Sequence, residues 1–293
     1  MAADGAFRVK FPSPLPPSGI TGFSHPNCYM RDTHNCSEDM SRDHFISKSV
    51  LDLLCAKTVD VIFPWTDVGR RTAVGIENLT SGILCVRHNN ALSPLDGVAT
   101  QAFRNLVDAA VYVIRKSLAT KKIFYAVSGE GLELWALKLL FGAYHATMAT
   151  EDRDALKGTL PPDLSIFQKA LEGEALARPC GLYVRSAVGP MGIRAGWGPL
   201  TTETGNRVTG LRFLAGPVEF ELIVDPAGLN FDAIRQQSFY RPSAIDLTGT
   251  RRAADIFLSG PTFETSETMR LELRETRTSE GPAPSNTPTF APR

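Results

Sequence analysis

Four side chains with soft or borderline donor atoms are spaced as two half-sites. Cys28 and Cys36 form C-x7-C, and after 48 intervening residues Cys85 and His88 form C-x2-H. A C-x2-H pair entering a helix is a frequent half of a tetrahedral zinc site, which takes thiolate and imidazole ligands. These four are read as holding a structural zinc ion, with His34, between the first two cysteines, as the alternative ligand. Five cysteines, an odd number, with no export signal favour thiols and metal ligation over a disulfide framework. Cys55 and Cys180 are read as small buried hydrophobes. Inside this frame lies Ser41-Arg42-Asp43-His44-Phe45-Ile46-Ser47. On a strand, Asp43 and His44 point to opposite faces unless the strand ends there. A lone Asp-His pair can equally be a surface turn or a satisfied core histidine.

The order of these pieces carries a family likeness. A cysteine half-site, Asp43-His44 before an apolar residue and Ile46, then Asn78-Leu79, then Leu84-Cys85-x2-His88-Asn89 resembles the HNH endonucleases over about 65 to 70 residues. The resemblance implies a ββα-metal module in which His44 is the general base and Asn78 a positioning residue. Asp43 and Asn89 would hold a catalytic divalent ion, Mg2+ or Mn2+. Phosphodiester hydrolysis needs a water deprotonated near neutral pH, which suits imidazole. It also needs a cation on the phosphoryl oxygen, which suits hard oxygen ligands such as a carboxylate and an amide. Three departures from the family's usual run shape the expectations. The position three after Cys28 is Arg31, so Cys36 must supply the second ligand. The 34 residues from His44 to Asn78 call for an inserted hairpin through about Lys57 to Gly75. The last position is Asn89, a variant of the usual His. Outside the resemblance, Asn78 could be a turn residue and Asn89 a helix cap.

Elements must position these groups. The expected fold class is α+β: a small zinc-bound module followed by a helical segment and an antiparallel β-rich C-terminal domain. The segments are a Pro/Gly-rich arm (1–22), the HNH-like module (23–96), the helical segment (97–178), the β-rich domain (179–275) and a disordered tail (276–293). Ser93-Pro94-Leu95-Asp96 has the cap, first-turn proline and acid of a helix start, predicting a helix from there to about Ser117. A second helix, apolar nearly all round and so buried, is predicted from Gly129 to Ala149. A short third helix is read in Ser165 to Leu176. Strands are predicted at 182–184, 210–214, 218–224, 254–258 and 269–273, with the strict alternation of 218–222 and 269–273 suggesting half-buried antiparallel strands. Gly189 to Gly192 and Gly196 to Pro199 read as turns, and the three tryptophans as packing residues.

Composition bounds the function. The 43% apolar content suits a packed core, and 31 basic against 31 acidic residues give no overall attraction to nucleic acid. Residues 28–89 are also near balance, so phosphate contact must come from a local patch, such as Arg70-Arg71, or from the metal. The N-terminus lacks a secretory pattern and no stretch is long and apolar enough to span a bilayer, so a soluble cytoplasmic protein is expected. The expected activity is a metal-dependent endonuclease acting on DNA, with a possible homo-oligomer through the C-terminal domain. The alternative is a zinc-stabilised interaction module without turnover.

Overall fold

The computed structural model describes residues 15–16, 19–54, 57–61, 72–115, 121–148, 162–186, 195–202, 207–229, 234, 238–260 and 267–273. The sequence readings at Cys55, Trp65, Arg70-Arg71, Gly189 to Gly192 and the tail from 276 lie outside them.

The N-terminal part is a chain of short elements. β1 (Asp43–His44) runs into α1 (Lys48–Leu54), followed by β2 (Thr58–Val61), β3 (Thr72–Gly75), a 3-10 turn (Ile76–Asn78) and β4 (Thr80–Ser81). β2 and β3 pair antiparallel, Thr58 opposite Gly75, so the expected inserted hairpin is present. β1 pairs antiparallel with β4, Asp43 opposite Ser81 and His44 opposite Thr80.

α2 (Val86–Ile114) is the spine of the molecule. It begins at Cys85, before the start predicted at Ser93, and carries Pro94 inside it. A proline there removes the amide that would bond the Asn90 carbonyl. The Ser93 hydroxyl donates to that carbonyl at 3.0 Å instead, so the apparent helix-start motif is an internal repair. The boundary drawn at residue 96 therefore falls within one helix, and Asp96 is not a capping acid. His88, Leu92, Leu95, Ala99, Ala102, Phe103, Leu106, Ala109 and Val113 recur at helical spacing and are buried.

α3 (Gly129–Ala143) follows β5 (Lys121–Ser128) directly, with Ser128 accepting from the Gly131 amide as its cap. It is buried on nearly every side, as its apolar sequence predicts, and passes into a π-helical turn (Tyr144–Met148). α4 (Leu164–Leu171) docks on it through stacked Phe141 and Phe167.

The remaining strands are β6 (Gly181–Ser186), β7 (Ala195–Thr201), β8 (Val208–Ala215), β9 (Val218–Ile223), β10 (Phe239–Tyr240), β11 (Ala244–Thr248), β12 (Arg252–Ser259) and β13 (Thr268–Glu272). They form an antiparallel five-stranded sheet ordered β10-β6-β9-β8-β7 and a four-stranded sheet ordered β13-β11-β12-β5. The second sheet is mixed: β13 runs parallel to β11, and β5 parallel to β12. α2 and α3 contact strands of both sheets, and Phe103, Trp135, Phe213 and Phe220 join the two helices to the five-stranded sheet in one aromatic cluster.

The α+β class stands, with corrections in detail. β9 alternates in sequence but is buried at every position, because Glu219 and Glu221 are covered and paired with Arg185 and Arg212 on its neighbours. The stretch Gly196 to Pro199 is strand β7, not turn, its glycines lying opposite Leu214 and Arg212. Among the described residues no helix is long and apolar enough to cross a membrane.

Candidate metal centre and adjoining Asp-His strand

An antiparallel ribbon brings the two half-sites together. Met40 bridges to Cys85, the Ser41 amide donates to Leu84 at 2.9 Å and the Val86 amide to Asp39 at 2.9 Å. Two residues further on, the same ribbon becomes the β1–β4 pairing that carries Asp43 and His44. Metal ligands and the Asp-His pair are thus held by one continuous backbone ladder.

The long C-x7-C interval closes by local turns. Arg31–Thr33 is a 3-10 turn ended by His34 in the left-handed region at φ 52°, and the Cys36 amide donates to Phe23 at 2.9 Å. Cys28 and Cys36 converge as a result. Cys85 is the N-cap of α2 and His88 lies in its first turn, which brings both to the same point.

The donor atoms of Cys28, Cys36, Cys85 and His88 lie within 4.8 Å of one another, and all four residues are buried. His88 Nδ1 is 3.2 Å from Cys85 Sγ, 3.5 Å from Cys28 Sγ and 3.7 Å from Cys36 Sγ. Bonds of about 2.3 Å to sulfur and 2.0–2.1 Å to nitrogen at tetrahedral angles require S···N edges of about 3.5 Å, so the four can hold a metal ion. His34 is exposed and bonds Ser24 Oγ at 2.8 Å, outside the cluster.

The imidazole of His88 is set for ligation by a neighbour that the sequence reading missed. Thr33 Oγ1 donates its one proton to the Met30 carbonyl at 2.8 Å and stands 3.0 Å from His88 Nε2. Its hydroxyl can therefore only accept from His88, which assigns the proton to Nε2 and leaves the Nδ1 lone pair facing the three sulfurs. Burial lowers the His88 pKa to about 4, with Arg87 adding to it.

The sulfurs divide. Burial pushes Cys28 up to about 12 and also raises Cys36. Cys85 is raised by burial too, but the backbone amides of His88 and Ser37 lead a set of hydrogen bonds that brings it below the usual thiol value. The Ser37 amide reaches Cys85 Sγ at 3.4 Å. Buried donors held in this geometry are stabilised as thiolates by a cation.

Asp43 is buried at 8% exposure, and desolvation raises its pKa against the opposing pull of Lys138. It forms no ion pair with a described residue and belongs to no second group of three or more metal-binding side chains among them. His44 Nε2 is buried with no hydrogen-bond partner among the described residues. Asn89 lies in the first turn of α2 and its Nδ2 donates to Ser41 Oγ at 2.8 Å, which ties that turn to the start of the ribbon. Asn78 is exposed, ending the 3-10 turn just before Thr80, the partner of His44.

Of the residues read from the sequence, the four zinc candidates come together, and Asp43, His44 and Asn89 lie on the ribbon and helix turn beside them. Spacing gave no signal for Thr33, Tyr29, Ser47, Asp96, Trp135 or Lys138, because their meeting is set by tertiary contacts. Tyr29 is buried, stacks on His145 at 5.1 Å and leaves its hydroxyl without a partner among the described residues. Cys180, read as a buried hydrophobe, is half-buried, bonds the Val224 carbonyl at 3.3 Å and is not one of the clustered donors. No protein-family model, curated protein or solved structure matches the chain.

Proposed function

We propose that the chain is a metal-dependent endonuclease of the HNH kind that hydrolyses phosphodiester bonds in DNA, its module stapled by zinc on Cys28, Cys36, Cys85 and His88. The observation that supports this most is the ribbon of residues 39–44 against 80–86, which runs into α2 and sets Asp43-His44 beside the turn bearing Asn89, next to the Cys3His cluster. His44, whose Nε2 is buried without a partner among the described residues, would take a proton from the attacking water. Asp43 and Asn89 would hold Mg2+ or Mn2+, which supplies charge to the phosphoryl oxygen when bound. Asn78 steadies the turn that leads into the strand opposite His44.

A zinc-stabilised interaction module without turnover is the second reading, favoured by Asp43 belonging to no group of three or more metal-binding side chains among the described residues. Zinc analysis of the purified chain and plasmid cleavage with added Mg2+ or Mn2+, for wild type and His44→Ala, separate the two. The nuclease reading expects one zinc per chain in both and cleavage in the wild type alone.

A further inference from the structure

β1 is two residues long, too short to hold Asp43 and His44 to the accuracy that catalysis needs. What fixes it reaches beyond residues 23–96. Ser47, three residues after His44 in the turn into α1, is buried and sits at the centre of a closed polar chain. Its hydroxyl donates to Asp96 Oδ1 on α2 and accepts from Trp135 Nε1 on α3 at 2.7 Å. The other Asp96 oxygen accepts from Lys138 Nζ, also on α3, at 2.8 Å. The Lys138 side chain is 6% exposed and that of Asp96 23%, so the ion pair is largely withdrawn from solvent and each removed partner leaves a buried charge.

Two further contacts reach the same turn. A Cβ at Gly142 of α3 would stand 3.4 Å from the Phe45 carbonyl oxygen, so the helix backbone lies directly against the residue that follows His44. Trp197 of β7 meets the Phe45 ring edge-on at 6.3 Å. The exit of the Asp-His strand is thus clamped by α2, α3 and the five-stranded sheet together.

We infer that Asp96, Trp135 and Lys138 are positioning residues for His44 and Asp43, acting through Ser47, so that the helical layer is part of the catalytic apparatus rather than an appended domain. The role assigned to His44 rests on the nuclease reading above, but the positioning itself does not. The Ser47 hydroxyl has one proton and uses it on Asp96; its accepted bond from Trp135 then fixes its rotation, and with it the direction of the turn.

The test uses the full chain with Trp135→Phe, which keeps a ring against Phe103 and Phe213 and deletes one N–H, and Asp96→Asn, close in shape. Both should retain one zinc per chain. Each should lower kcat for DNA cleavage about 10- to 100-fold with KM nearly unchanged, and shift the His44 imidazole 15N resonances. Lys138→Arg should recover most of the rate lost in Lys138→Met. Wild-type kcat and unmoved His44 resonances in a variant that melts lower would reduce the network to ordinary packing and overturn the inference. If Asp96→Asn does not fold, Trp135→Phe decides alone. If the wild type cuts nothing with Mg2+ or Mn2+, the nuclease reading fails, and the His44 resonances still decide the positioning.

Discussion

Thr33 shows how one hydroxyl can set the chemistry of a buried imidazole. Its proton is committed to Met30, so His88 must carry its own proton on Nε2 and offer Nδ1 to the sulfurs. Thr33→Val keeps the shape and deletes this bond, and by the usual weight of such outer partners should weaken zinc affinity about 10- to 100-fold. Competition with a chromophoric chelator measures it; unchanged affinity would remove Thr33 from the site. Two histidines also fix the response to acid. Burial lowers His88 and His145 from 6.5 to about 4, so between those values the unfolded chain binds more protons than the folded one. Stability is therefore full above about pH 6.5 and falls as pH drops toward 4, and zinc release at the same histidine acts in the same direction. Urea midpoints across that range should fall in the wild type and fall less in His145→Phe.

At the level of elements, α2 separates what could be read from the sequence from what could not. The half-sites, the Asp-His pair, the inserted hairpin and the buried α3 were legible because each rests on local spacing or periodicity. The start of α2 was not, since Ser93-Pro94 carries the pattern of a helix start and only the bond from Ser93 to Asn90 reveals an interior position. Asp96 was misread for the same reason: its partners, Ser47 and Lys138, are 49 and 42 residues away in sequence. β9 was read as half-buried because alternation does not report what covers a charged face. The continuity of α2 has a direct consequence. A fragment spanning residues 23–96 cuts the helix and strips Leu92 and Leu95 of the layers that bury them. It should show poor amide dispersion by NMR even with zinc, whereas a well-dispersed spectrum would make the module autonomous.

Across the whole molecule, the helical layer joins the ribbon to the C-terminal sheets through buried charge as well as apolar contact. Glu133 on α3 accepts from Arg241 at 2.6 and 2.9 Å and from the Leu182 amide of β6 at 2.9 Å, both charged side chains lying under 10% exposed. Removing one partner strands the other, so Glu133→Met or Arg241→Met should cost about 3–5 kcal/mol, while the double change should cost less than the sum. Chemical denaturation in a double-mutant cycle reads this directly, and additive losses would deny the coupling. The same layer supports the strand with Asp43 and His44 through Ser47, so metal centre, strand and sheets are structurally connected, and the proposed phosphodiester cleavage would draw on all three. The most direct test is cleavage of plasmid DNA in Mg2+ or Mn2+ by wild type and His44→Ala, with zinc measured on the same samples. The account predicts one zinc per chain in both and cutting by the wild type only; full-rate cutting by His44→Ala, or an inert wild type, would contradict it.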